Sequence, residues 1–126
     1  MKISGKRVVV TGAASGIGKA LSCAFNEAGA KSVVCVDINL EGAQATADLI
    51  NGLAVRANVA KESDIINVIQ KANEFSGGID IFCSNAGIGG VPGFFEAKTE
   101  DWQQIWEINV QSHIHAAKYV LPQMLE

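Results

Sequence analysis

VVVTGAASGIGKA, residues 8–20, is the stretch whose reading decides the fold. Its valines form a continuous apolar run, the pattern of a strand covered on both faces in a parallel sheet. Glycines at 12, 16 and 18 follow, overlapping apolar residues at helical spacing: Ile17, Leu21, Ala24 and Phe25. The expectation is a strand over 6–11, a tight turn, and a helix from Gly16 to Ala28 with Gly29 as its C-cap. Gly12 lets the chain leave the strand sharply, Gly16 lets the backbone approach a ligand, and Gly18 lets the helix pack closely on the sheet. The helix N-terminus aims unpaired N–H groups and a partial positive charge at the turn, and Ser15 adds a hydroxyl, a combination suited to phosphate. Ordinary strand-to-helix turns also use glycine, so the turn alone does not settle the matter.

Outward from that turn, strand and helix signals alternate without linker, repeat or charge block. Strands are expected at 32–37 (SVVCVD), Leu53–Ala57 and 79–84 (IDIFCS). Helices are expected at Leu40–Asn51, stopped by Gly52, and at Glu62–Phe75, with Ile65, Ile66, Val68, Ile69 and Ala72 as its apolar face. A last helix runs over Thr99–Met124 after the glycine-rich NAGIGGVPG. This βαβαβαβα order implies an α/β fold: a Rossmann-type, doubly wound parallel sheet of order 3-2-1-4 with helices on both faces.

Asp37 closes the second strand about 20 residues past the glycines, where a carboxylate meets the hydroxyls of an adenosine ribose. Asp is also a common strand-end turn residue, but its placement together with the glycine turn points to a dinucleotide site. A carboxylate accepts from a free 2′-hydroxyl and repels a 2′-phosphate. No Arg or Lys directly follows Asp37 or lies within Ala13–Ser15, so NAD is expected in preference to NADP.

Composition narrows the classes. In 126 residues, 48% are apolar and 18% charged, which suits one well-buried domain. The net charge of −3 gives no footprint for nucleic acid. No apolar run approaches the ~20 residues of a membrane span, and the N-terminus lacks the form of a signal peptide. Cys23, Cys35 and Cys83 are widely spaced; Cys35 and Cys83 fall in apolar runs, where a thiol acts as a small hydrophobe, and a cytoplasmic setting is expected. His113 and His115, two apart on a helix, face different ways, and no metal site is expected.

With these residues placed, the chain resembles the short-chain dehydrogenase/reductase family. TGAASGIG matches its cofactor turn, Ser84-Asn85-Ala86-Gly87 its N-A-G motif after the fourth strand, and EINVQS, with Asn109, its catalytic-helix motif. The resemblance covers essentially the whole chain. It implies that Gly12, Ser15, Gly16, Ile17, Gly18 and Asp37 bind the cofactor, and that Asn85, Ala86 and Gly87 line its site and steady the sheet. It also implies that Asn58, where the family usually has Asp, meets the adenine amino group and that Val59 packs on the ring. Asn109 would act in catalysis through a backbone-held water of a proton relay; read without the resemblance, it is an ordinary mid-helix polar residue.

The resemblance further implies a Ser and a Tyr-x-x-x-Lys pair on a fifth strand and its helix. A phenol of reference pKa about 10 needs such a cation to serve near neutrality. The one tyrosine, Tyr119, has Gln123 at the fourth position onward and is read as a packing residue. The catalytic Ser, Tyr and Lys are therefore expected beyond Glu126, with these residues as the cofactor portion of an NAD-dependent oxidoreductase acting on a small-molecule secondary alcohol or ketone. A non-enzymatic NAD-binding module remains the alternative; an S-adenosylmethionine methyltransferase fits the motif order poorly. Ile79, Ile81 and Phe82 of the fourth strand would pack against later helices. Its bare edge and an apolar last helix (Trp102, Ile105, Trp106, Ile108, Ile114) lead to an expectation of marginal stability and a homo-oligomer, although that helix suits a core equally. Phe94 and Phe95 are candidate apolar contacts at a substrate entrance, or part of a plain connection.

Overall fold

In the computed structural model, which describes residues 1–126, four parallel strands form one sheet in the order β3-β2-β1-β4. They are β1 (Arg7–Thr11), β2 (Ser32–Asp37), β3 (Leu53–Arg56) and β4 (Ile81–Cys83). Helices α1 (Gly16–Glu27), α2 (Leu40–Leu49) and α3 (Glu62–Ser76) supply the crossovers, and α4 (Thr99–Trp106) and α5 (Ser112–Met124) follow β4.

The alternation of side chains explains the unbroken apolar runs. Val8 and Val10 point to one face, where Val33, Cys35, Ala43 and Ala47 join them and Leu21 and Phe25 of α1 pack on top. Val9 points to the other, among Val34, Val36, Val55, Ile65, Val68, Ala116 and Val120. Both faces are buried, so the central strand positions are apolar, and the polar strand residues stand at strand ends, as Arg7, Thr11, Ser32, Asp37 and Arg56 do. The register places Val9 between Val34 and Phe82, at the centre of the sheet.

Several boundaries differ from the sequence reading, each for a local reason. Helix α1 ends at Glu27, and Gly29, at φ +82°, turns the chain in the left-handed conformation one residue past the Ala28 cap. Helix α2 ends at Leu49; Asn51 (φ +51°) makes the left-handed turn, whereas Gly52 is needed because a Cβ there would press on the Val33 carbonyl. Strand β4 is confined to Ile81–Cys83, because beyond it the Thr11 hydroxyl takes over the pairing role of a backbone carbonyl. The long last helix is broken by a π-helical turn, Glu107–Gln111, that contains Asn109. Ile66 is exposed while its α3 neighbours Ile65, Val68, Ile69 and Ala72 are buried. Ile79 is already in the core of this chain, Phe82 packs beside it, and Ile81 packs on the opposite face. Trp102, Trp106 and Ile114 are largely exposed, so the last helices do not use them as core.

One ion pair ties the start of β1 to β4. Arg7 Nε and Nη2 donate to the two oxygens of Asp80 at 2.8 and 2.9 Å, and the Arg7 backbone N–H adds a 2.8 Å bond to Oδ2. These hydrogen bonds hold the Asp80 carboxyl well below its usual 3.8, against the opposing effect of burial. Since the folded pKa is depressed, the contribution is full above the unfolded pKa near 4 and fades as pH falls below it. Asp80→Asn is expected to cost about 1–2 kcal/mol at pH 7 and nothing at strongly acid pH. The figure is modest because the side chains are 29% and 24% exposed. Urea unfolding of both proteins across pH 2–7 (about the titration range) checks it; a pH-independent difference would contradict it.

Candidate functional site

All four strands end on the same side of the sheet, and the segments that follow them enclose one groove of about 440 Å³. Its position is set by topology. The chain winds from β1 through β2 to β3, then crosses to the other side of β1 to form β4, and the loops diverge at that switch point. Gly12, Ser15, Gly16, Ile17 and Gly18 line the groove after β1, Asp37 after β2, Asn58 and Val59 after β3, and Asn85, Ala86 and Gly87 after β4. Thus every residue named from the sequence as a cofactor contact reaches this one groove. Ile38, Ala57, Ile88 and Ile108 complete it. The first three adjoin Asp37, Asn58 and Gly87 in sequence, a signal that was available; Ile108 arrives only through the folding of the last helices.

The turn is built by contacts its glycines allow. Gly12 has φ +72°, and a Cβ on it would crowd Ala86. A Cβ on Gly18 would overlap the Gly12 carbonyl, so the close approach is helix to turn rather than helix to sheet. Gly16, at φ +53°, has open space where a Cβ would project. Ser15 is the N-cap of α1 but its side chain makes no capping bond, and the first turn carries no acidic residue. The hydroxyl and the first-turn N–H groups are therefore available to an anion, with the helix dipole behind them. Ile17 is 73% exposed and faces the groove, not the core its helical spacing suggested.

Asp37 is the only charged residue lining the groove. Its Oδ2 accepts the Ala14 N–H and its Oδ1 the Asn39 N–H, both at 3.0 Å. Each oxygen keeps a lone pair for a further donor. A cation stands just outside. Arg56, the register partner of Asp37 on β3, donates from Nε to the Ile38 carbonyl at 3.3 Å. Arg56 is 19 residues from Asp37 in the chain and comes beside it only through the β2–β3 register.

Thr11 joins the two halves of the site. Its hydroxyl accepts the N–H groups of Asn85 and Ala86 at 2.9 and 3.0 Å and donates to the Cys83 carbonyl at 3.3 Å. Asn85 Nδ2 returns a bond to the Thr11 carbonyl at 3.0 Å. Asn58 Oδ1 accepts the Ala60 N–H at 3.1 Å, so one acceptor site is already spent on a local turn. Asn109 does not line the groove. From the π-helical turn its Oδ1 accepts the Ile88 N–H at 2.8 Å and its Nδ2 donates to the Ile88 carbonyl at 2.7 Å. The side chain thereby fixes the segment that leaves Gly87.

Tyr119 lies elsewhere, on α5. Its hydroxyl donates to Glu62 Oε1 at 2.8 Å, and Lys118 reaches the same oxygen at 2.9 Å, a link between α3 and α5. Hydrogen bonds from Lys118 and Tyr119 lower the Glu62 pKa. His113 Nδ1 is 2.6 Å from Ser84 Oγ, at the edge of β4. Burial pushes up the thiols of Cys35 and Cys83, in keeping with their place inside the strands. Phe94 and Phe95 stack edge-to-face and project from the segment after β4. No helix is long and apolar enough to cross a membrane.

Residues 6–126 match the family model described as short chain dehydrogenase. Among curated relatives, the 7alpha-hydroxysteroid dehydrogenase of Escherichia coli (strain K12) is 36% identical over 129 residues, covering 98% of this chain and 50% of the relative. Among solved structures, a 3-ketoacyl-(acyl-carrier-protein) reductase from Brucella melitensis complexed with NADH superimposes with a TM-score of 0.91 at 34% identity, over 96% of this chain and 51% of that one. A short chain dehydrogenase/reductase from Burkholderia phymatum in complex with NAD gives 0.94 at 26% identity, over 99% and 46%. The chain spans about half the length of the curated relatives it matches. In sequence over nearly all its length, and in the fold that builds its groove, the chain belongs to the short-chain dehydrogenase family.

Proposed function

We propose that these residues form the NAD-binding portion of an oxidoreductase that moves hydride between the nicotinamide and a small secondary alcohol or ketone. The observation that carries the reading is the groove: an uncapped helix N-terminus at Ser15–Gly18, and Asp37 as the sole charge at its other strand end. The Gly16 to Gly18 amides and the Ser15 hydroxyl would hold the pyrophosphate. The Asp37 carboxylate would take the two ribose hydroxyls of the adenosine, and its charge would repel a 2′-phosphate. Asn58 would offer its free amide donors and remaining lone pair to the adenine, over Val59. Asn85, Ala86 and Gly87 would line the site near the adenine-side ribose, with Asn109 steadying Ile88 next to them.

Bound NAD supplies the hydride acceptor. This chain's part is to orient it and to exclude water along the apolar wall of Ile17, Ile88 and Ile108. The relay role of Asn109 and the Ser, Tyr and Lys that handle the substrate's proton belong to the same reading, the last three in sequence beyond Glu126. So does a cytoplasmic location, where free thiols such as Cys23, Cys35 and Cys83 persist. Exposed Trp102, Trp106 and Ile114 support a homo-oligomer, which sedimentation velocity tests; a monomer at all concentrations would refute it. For the binding site, amide chemical shifts on titration with NAD are expected to move at Gly12–Gly18, Asp37–Ile38, Asn58–Val59 and Asn85–Ile88. Shifts confined to other regions would overturn the reading.

A further inference from the structure

Ala13 and Ala14, at the tip of the glycine turn, are held from outside the groove. Ala13 is fully buried, and its N–H donates to the Val36 carbonyl at 3.0 Å. Its carbonyl receives no backbone donor; its partner is the hydroxyl of Thr46 in α2, at 2.8 Å. A mid-helix Thr ordinarily returns its hydroxyl to the carbonyl four residues back. Here that carbonyl, of Gly42, is the longer contact at 3.2 Å, and the single proton favours Ala13, 33 positions away. Thr46 is 0% exposed, and neither it nor Gly42 lines the groove. Gly42 completes the grip, since a Cβ there would stand 2.7 Å from the Ala14 Cβ. The Ala14 N–H, next along, is the donor that anchors Asp37.

We propose that Thr46 is a positioning residue: through the Ala13 carbonyl it holds the turn in its binding shape and couples ribose recognition at Asp37 to phosphate recognition at Gly16–Gly18. This rests on the nucleotide-binding reading above. Removing the hydroxyl leaves a buried carbonyl without a partner, and the turn relaxes to find one.

The test compares Thr46→Val, which keeps the shape and loses the donor, with Thr46→Ser, which keeps the donor. ADP and NAD affinities are read by calorimetry on folded protein, and exchange of the Ala14 amide by NMR. Thr46→Val is expected to weaken both ligands roughly 2- to 30-fold and to speed Ala14 exchange, with Thr46→Ser restoring both. Val68→Ala, a core truncation under the opposite face of the sheet, is expected to lower stability while leaving both readouts unchanged. Unchanged Ala14 exchange and ADP affinity in Thr46→Val would overturn the proposal, as would equal losses in Val68→Ala. If the parent chain binds neither ligand, the nucleotide reading fails, and Ala14 exchange still decides whether Thr46 holds the turn. Should Thr46→Val not fold, Gly42→Ala displaces Ala14 directly; wild-type ADP affinity and Ala14 exchange there would also overturn the proposal.

Discussion

Gly18→Ala is expected to destabilise the chain by about 2–3 kcal/mol and to remove measurable nucleotide binding. The added carbon would overlap the Gly12 carbonyl oxygen, stand 2.5 Å from its carbon and 2.9 Å from Asn85 Nδ2. Two of these three are backbone atoms, which cannot swing aside as a side chain would. The turn must therefore part from the helix. The N–H groups of Gly16 to Gly18 would then lose their common aim, and Asn85 would be pushed off the Thr11 carbonyl it bonds. Gly89→Ala is the matched control, because nothing lies within 4 Å of its would-be Cβ and its φ is not positive. Urea midpoints and NAD titrations of the two variants should differ sharply. A Gly18→Ala protein with the stability and affinity of the parent would mean that the helix and turn are not packed as described.

Asp37→Ser should cost NAD about 10- to 100-fold in affinity, the equivalent of losing hydrogen bonds to a charged acceptor. Two effects add. The ribose loses its carboxylate, and the Ala14 and Asn39 N–H groups lose the acceptor that fixes the turn's tip to the start of α2. The same substitution removes the negative charge that would repel a 2′-phosphate and leaves the cation Arg56 at the Ile38 carbonyl. NADP should therefore lose far less affinity than NAD, or gain. Parallel titrations of both nucleotides against both proteins measure this. An equal loss for the two would show that Asp37 acts only on the turn and not on the ribose.

Much of this arrangement was legible in the chain because its causes are local or periodic. Strands β1 and β2 read as apolar runs since both faces of the sheet are covered, and the sheet order followed from alternation of strand and helix. The groove lining was legible for the same reason: the residues after each strand end must meet at the switch point. What escaped the reading depends on partners distant in sequence. Thr46 looks like any helical Thr until α2 is laid against the Ala13 carbonyl. Arg56 comes beside Asp37 only through the β2–β3 register. The π-helical turn at Glu107–Gln111 leaves the apolar spacing of the last helix nearly intact, so periodicity reads straight through it. Ile17 carries two signals: its helical spacing suits a core, whereas the motif resemblance puts it at the cofactor site, and it faces the groove.

The central claim is that this groove takes NAD and that Asp37 selects it over NADP. Calorimetric titration of the chain with each nucleotide, in the same buffer, tests that most directly. The account predicts one NAD site per chain and an NADP affinity about 10-fold or more weaker, as expected when a phosphate must approach a carboxylate with little screening. Equal affinities, or heat from neither nucleotide, would contradict it.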